Sequence, residues 1–299
     1  MSGHHEPNPI HEVQDMEKEW IFFESLFGDP VKWTLPSIDL GFMELRLTKF
    51  MILQLIAAGL ILLIYIPLAR RIASGALPTG RFWNFFEALL VFVRDEIARP
   101  NLDQPAHEGE HHDDHGHHQE HTADSYVPFL WTLFLFVLFC NLLGMLPMMG
   151  SPTASIWVTG ALAMISFVVI HASAIRKHGF TGYLFGLWPK LDIPFAGVLI
   201  GGLIWGLELL GMVIKAFVLA VRLFANMFAG HMVLAYIIFL IYLAGNLAGL
   251  GLLWGGVTIV SVLAVVALSL LELFVAFLQA YVFTFLTALF LGMSLHGEH

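Results

Sequence analysis

Residues 197–243 read GVLIGGLIWGLELLGMVIKAFVLAVRLFANMFAGHMVLAYIIFLIYL, with Glu208, Lys215 and Arg222 as the formal charges. About 20 apolar residues cross the hydrocarbon core of a bilayer. A run more than twice that length is a membrane helix that tilts steeply or lies partly along the membrane. The three charges are seven residues apart, which keeps successive ones within about 20° on one helix face. Asn226 falls at about +40° from Arg222, so the four form a polar stripe on an apolar helix. An ionisable side chain facing hydrocarbon costs at least roughly 2.5–3.5 kcal/mol, so that stripe faces protein or water. His231 lies nearly opposite Arg222 and about 13 Å further along the axis.

Beyond a break at 244–256, AGNLAGLGLLWGG, a second long apolar helix is expected near 252–294, with Glu272 and Gln279 again seven apart. The whole chain has 299 residues, 58% hydrophobic and 12% charged, about half the charged share of a soluble domain. Residues 125–299 hold five of the 14 bases and four of the 23 acids. Such a stretch presents no soluble surface, which excludes a cytosolic or secreted globular enzyme. The net charge of −9 leaves no strongly basic face, and no nucleic-acid partner is expected. A single cysteine, Cys140, excludes an intramolecular disulfide framework. The opening MSGHHEPNPIHEVQDMEKEW has neither a basic n-region nor an apolar h-region, so the first hydrophobic span is expected to do the targeting.

Charge-free runs mark three further spans. Phe50 to Ala69 is closed by Arg70 and Arg71. Ser125 to Ile175 carries no formal charge, and Pro147, Gly150 and Pro152 divide it into spans near 127–146 and 154–174. The organisation read from the sequence is a tail, 1–48; a first span, 49–72; a loop, 73–124; and a membrane domain with the ion pathway, 125–299. In the loop, RFWNFFEALLVFVRDEIAR begins a helix expected over 81–102. Trp83, Phe86, Leu90, Val93 and Ile97 recur at helical spacing, while Arg81, Glu87, Arg94, Asp95, Glu96 and Arg99 carry charge. That pattern suits a helix lying in the membrane interface rather than a sixth crossing. The fold class is therefore all-α and polytopic: five transmembrane helices and one interfacial amphipathic helix, with the last two helices long and tilted.

Basic residues cluster in 70–124 and 176–196, whereas 147–153 and 244–256 have none. The positive-inside rule places the first pair in the cytoplasm, the N-terminus outside and the C-terminus inside. Residues 107–121, HEGEHHDDHGHHQEH, hold seven histidines and five acids without a repeating ligand spacing. A solvated insert is the preferred reading over a metal-binding loop, and no metal site or cofactor is expected.

Glu208 and Lys215 have structural alternatives, as a buried ion pair or as snorkelling groups. Arg222 resists one. It stays charged wherever it sits, and no acid lies within eight residues of it on its own helix, so its counter-charge comes from another helix or another subunit. A fixed cation beside separate titratable groups points to an ion pathway with an electrostatic barrier. A metal-cation secondary transporter is the competing reading; it needs clustered ligands, and His171, His231, Glu208 and Glu272 are scattered over three helices.

The segment LAVRLFANMFAGHMV, 219–233, resembles the R-L-F-x-N-M-x-A-G signature of subunit a of F-type ATP synthases. FCNLLGMLP at 139–147, the acid at Glu208 and LELFVAFLQAYVFTFLTALFLG at 271–292 follow that family's order, and the likeness covers roughly 45–295. The resemblance implies a multi-pass subunit of the bacterial plasma (inner) membrane that is not an enzyme by itself. Its partners are then the c-ring of subunit c, the subunit b stator stalk, the rest of the complex and membrane lipid. Arg222 would be the essential stator charge, with Gln279 facing it. Asn226, His231 and Glu272 would line the access channel from outside, with Asn141 contributing, and Glu208 the half-channel toward the cytoplasm. Some members have Glu at the His231 position and His at the Glu272 position; here the two are exchanged, which is expected to keep the pathway and alter its pH dependence. ATP chemistry belongs to other chains, because no GxxxxGKS/T phosphate loop is present.

Overall fold

A computed structural model describes residues 19–22, 31–34, 37–39, 44–46, 48–75, 80–103, 122–146, 150–186, 196–248 and 251–296. The His-rich segment 107–121 lies outside them. Strands β1 (Glu19–Phe22) and β2 (Val31–Thr34) pair antiparallel, as do β3 (Ser37–Asp39) and β4 (Glu44–Arg46). These short ladders, absent from the sequence reading, lie in the N-terminal tail; every membrane segment is helical.

Among the described residues, five helices are long and apolar enough to span a membrane. They are α1 (Lys49–Ala73), α4 (Thr122–Gly144), α5 (Ile156–His178), α7 (Ala196–Ala248) and α8 (Leu252–His296). Between α1 and α4 run α2 (Arg81–Phe92), a π-helical turn (Val93–Ala98) and α3 (Arg99–Leu102). The short α6 (Phe180–Gly186) follows α5.

The π turn has a local cause. Pro100 brings no N–H, and its ring would strike the carbonyl of Glu96 in a regular α-helix. The chain widens just before it, and the Arg99 N–H reaches back five residues to the Arg94 carbonyl. Phe86, Leu89, Val93, Ile97 and Leu102 are buried, so Leu89 rather than Leu90 takes the inner position in the third turn of α2. The polar side carries a charge relay in which Arg94 Nε donates to Asp95 Oδ1 at 2.8 Å and Arg99 Nη1 to the same oxygen at 3.3 Å. The Arg94 guanidinium, with Arg99 adding to it, holds the Asp95 carboxyl below the usual carboxylate range. Exposed pairs of this kind contribute about 0–1 kcal/mol each.

The chain divides into two compact units, and each long helix gives one portion to each. One comprises Met1–Leu63, Phe136–Thr159 and Arg222–Gln279. Its interior holds Phe50, Leu53, Leu138, Leu223, Met227 and Ala276. The other comprises Ile64–Leu135, Gly160–Val221 and Ala280–His299, with Ile97, Leu102, Leu130, Phe134, Phe283 and Leu291 inside. In this second unit the Trp131 indole N–H donates to the Leu90 carbonyl at 2.7 Å, tying α4 to α2. Arg71 stands 4.7 Å from the Trp83 ring centroid, a cation–π contact between α1 and α2.

Gly292 sets the approach of α8 to α3, since a Cβ there would collide with the Asn101 carbonyl oxygen. Backbone cannot swing aside as a side chain does. Gly292→Ala is expected to cost about 1–3 kcal/mol, the usual range for overpacking. A Gly160→Ala control meets nothing within 4 Å. Thermal unfolding of the purified complex checks both: a lowered transition for the first and none for the second.

Candidate functional site

Within the first unit, α7 presents two chemically opposite faces. Leu223, Met227, His231 and Ala235 are buried. Arg222, Ala225, Ala229, Val233, Tyr236 and Leu240 are exposed, and at 100° per residue all lie within about 60° of Arg222. Among the described residues no hydrogen bond or ion pair reaches the guanidinium. Arg222 is thus a permanent cation on an apolar, uncovered stripe flanked by two alanines.

The buried side of α7 meets α8 through polar residues. His231 Nδ1 and Glu272 Oε1 are 3.7 Å apart, both side chains 9% exposed. His231 Nε2 and Glu272 Oε1 are buried and have no hydrogen-bond partner among the described residues. Gly230 makes room for the carboxyl, because a Cβ there would stand 2.8 Å from Glu272 Oε1 and 3.2 Å from its Cδ. Asn226 Nδ2 donates to Gln279 Oε1 at 3.5 Å, so the amide of Gln279 pairs with Asn226 rather than with Arg222.

Asn141 joins the same wall from α4. Its Nδ2 donates to the Ala276 carbonyl at 3.2 Å, and its Oδ1 accepts from Thr153 Oγ1 at 2.7 Å, which is 2.6 Å from Ser151 Oγ. Burial of Asn141, Ser151 and Thr153 is compatible with this closed set of bonds. The sequence reading missed Lys49, which is buried in the first turn of α1. A lysine opening an apolar span was the available signal.

Glu208 belongs to the second unit, where it lines a cavity of about 350 Å³. α7 gives Glu208, Met212 and Lys215; α5 gives Ser166 and His171; α6 gives Tyr183. His171 Nδ1 and the Tyr183 hydroxyl are 2.7 Å apart, and that hydroxyl is 3.4 Å from Met212 Sδ. Lys215 Nζ stands 5.3 Å from the Phe290 ring centroid. Burial, with the Glu208 carboxylate adding to it, raises the Tyr183 phenol above its ordinary range. Neither His171 nor Tyr183 was singled out as part of an ion pathway, because hydropathy does not reveal which distant segments adjoin.

No three His, Cys, Asp or Glu side chains among the described residues come together as metal ligands, which the transporter reading requires. The model of the ATP synthase A chain family matches residues 51–292. The chain is 38% identical over 273 residues to ATP synthase subunit a of Myxococcus xanthus, covering 89% of this chain and 78% of that protein. It is 38% identical over 285 residues to the Anaeromyxobacter dehalogenans protein of the same name, covering 94% of this chain and 64% of the relative's length. A third relative, ATP synthase subunit a of Chloroherpeton thalassium, is 35% identical over 273 residues, with 89% and 72% covered.

Proposed function

The chain belongs to the ATP synthase A chain family, and from that premise we propose that it carries protons to and from a rotating ring of subunit c through two half-channels separated by Arg222. It is the stator component of the membrane sector of an F-type ATP synthase, and the metal-cation transporter is not favoured.

The observation that carries the proposal is the placement of Arg222. A fixed cation on an exposed apolar stripe is costly against lipid. It is well placed against a partner that brings a carboxylate to it. The stripe is narrow, its alanines allow close approach, and the chain itself offers the guanidinium no counter-charge among the described residues. The ring of subunit c is that partner in this reading, and subunit b holds the stator.

A proton arriving past His231 and Glu272 neutralises a ring carboxylate, which then turns into lipid at lower cost. On completing the circuit the carboxyl meets Arg222, whose charge favours the ionised form and releases the proton to the other half-channel, the one assigned to Glu208. Each charge crossing 100 mV supplies about 2.3 kcal/mol. The positive-inside rule supports a cytoplasmic C-terminus and a tail 1–48 outside the bacterial inner membrane. The helix 81–102 then lies in the cytoplasmic interface.

Cysteine cross-linking tests the docking face, and native Cys140 is buried and will not compete. Cysteines replacing Ala225, Ala229 or Val233 are expected to form disulfides with a cysteine on the outer helix of subunit c. Cysteines at Leu223 or Met227 are not. Cross-links from the second pair without the first would overturn the assignment.

A further inference from the structure

We propose that His171 and Tyr183 form a proton relay on the wall of the Glu208 cavity, a second titratable pair in the half-channel that opens to the cytoplasm. The inference rests on the reading of Glu208 given above.

Three observations meet there. The Tyr183 hydroxyl and His171 Nδ1 are 2.7 Å apart, and the same hydroxyl reaches Met212 Sδ at 3.4 Å. Two hydrogen-bond arrangements are therefore open. The phenol donates to the imidazole, or the imidazole N–H donates to the phenol oxygen while the phenol turns to the thioether. Passage from the first to the second puts the phenol proton on Nδ1, sheds the Nε2 proton to water and returns a proton from water to the phenol oxygen, so one proton is carried on without moving either ring. Imidazole also titrates near neutral pH and has two nitrogens, so it takes a proton on one and gives it up from the other.

The second observation is the shared space. His171, Tyr183 and Glu208 line one cavity of about 350 Å³, large enough for several waters. Among the described residues, the charged groups that line the cavity beside the pair are Glu208 and Lys215, both from α7. The third is Ser166, which is 1% exposed, lines the same cavity and has no hydrogen-bond partner for its hydroxyl among the described residues. A buried hydroxyl of that kind gives a cavity water a polar anchor in an otherwise largely apolar lining. His171 also lies five and six residues before Arg176 and Lys177, about 7.5–9 Å along the helix from the basic end that the topology places in the cytoplasm.

The test compares His171→Gln, His171→Ala and Glu208→Gln in membrane vesicles holding the whole complex, with assembly checked by subunit content. The readout is ATP hydrolysis sensitive to a carbodiimide that blocks the ring carboxylate, measured with an uncoupler present so that added imidazole collapses no gradient. His171→Gln keeps a hydrogen-bonding partner for Tyr183 but does not titrate. It is expected to slow turnover about tenfold, less than the roughly hundredfold typical of a positioned acid–base group because cavity water offers a bypass. His171→Ala is expected to be slowed similarly and restored by imidazole, which a purely structural role would not allow. Wild-type turnover in His171→Gln, or a slowed His171→Ala that imidazole leaves unchanged, overturns the relay. If Glu208→Gln is slowed in that case, only the relay has failed; if it too runs at the wild-type rate, the half-channel reading fails with it.

Discussion

Arg222→Ala is expected to abolish ATP-driven acidification of inverted vesicles while leaving the complex assembled. The two halves of that expectation have different origins. Assembly survives because truncation strands no partner among the described residues: the guanidinium has no hydrogen bond or ion pair there, and its neighbours on the stripe are exposed. Pumping fails because an opposite charge at contact distance lowers a carboxylate pKa by about 1–3 units. Each unit is about 1.4 kcal/mol, a factor of ten in the proton-release equilibrium. Loss of the guanidinium therefore cuts release by roughly ten- to a thousandfold, enough to bring a fluorescence-quench signal to background. Passive proton leak through the same vesicles should rise, since a charge that never deprotonates no longer separates the two pathways. Arg222→Lys keeps a cation but one that gives up its proton when desolvated. It should retain a measurable fraction of pumping. Near-wild-type acidification by Arg222→Ala would sink the stator-charge assignment.

Much of the fold was legible because membrane spans are written in composition. The absence of charge between Ser125 and Ile175, cut by Pro147 and Pro152, gave α4 and α5 directly. Their ends moved for physical reasons. α4 starts at Thr122 rather than near 127, since the polar TADSY segment reads as loop by hydropathy yet completes a helical turn. α5 runs on to His178, past the expected 174, with Arg176, Lys177 and His178 in its last turn, where a helix favours cations. α7 and α8 came out as the two longest helices, as expected from a hundred apolar residues with one Gly-rich break.

What periodicity could not supply was neighbourhood. It put His231 opposite Arg222 and spaced Glu272 from Gln279, but did not say which side chains of α7 face which of α8. The pairing of Asn226 with Gln279, and of His231 with Glu272, emerged only from the packing of the two helices. Asn141 was carried by resemblance alone, and its bonds to Ala276 and Thr153 span 135 and 12 residues of sequence. Lys49 and Tyr183 went unread for the same reason, and His171 was weighed only as a scattered metal-ligand candidate. Each looked like an ordinary residue at or near a span end, and its chemistry depends on segments far away in the chain.

The His231–Glu272 pair allows the sharpest test of the proposed entry pathway, because its two members are expected to act in series. Both are buried, they stand 3.7 Å apart, and each presents an atom without a hydrogen-bond partner among the described residues. Glu272→Gln and His231→Gln preserve volume and polarity while removing titration. Each is expected to reduce proton flux by about a hundredfold, the lower end of what a positioned acid–base group contributes. The double variant should be little worse than either single one, since a path already interrupted loses little more at its second step. Exchanging the residues, His231→Glu with Glu272→His, again supplies one imidazole and one carboxylate to the same space. Gly230 then stands beside the incoming imidazole, and the larger ring must share room that now holds the flat end of a carboxyl. The exchange is expected to recover flux to within about tenfold of wild type, that residue reflecting imperfect repacking of a tight site, with a displaced pH profile. Stopped-flow acidification of vesicles across a pH series measures all four variants. Additive losses in the double variant, or an assembled exchange variant no better than the singles, would show that the two residues do not form one relay.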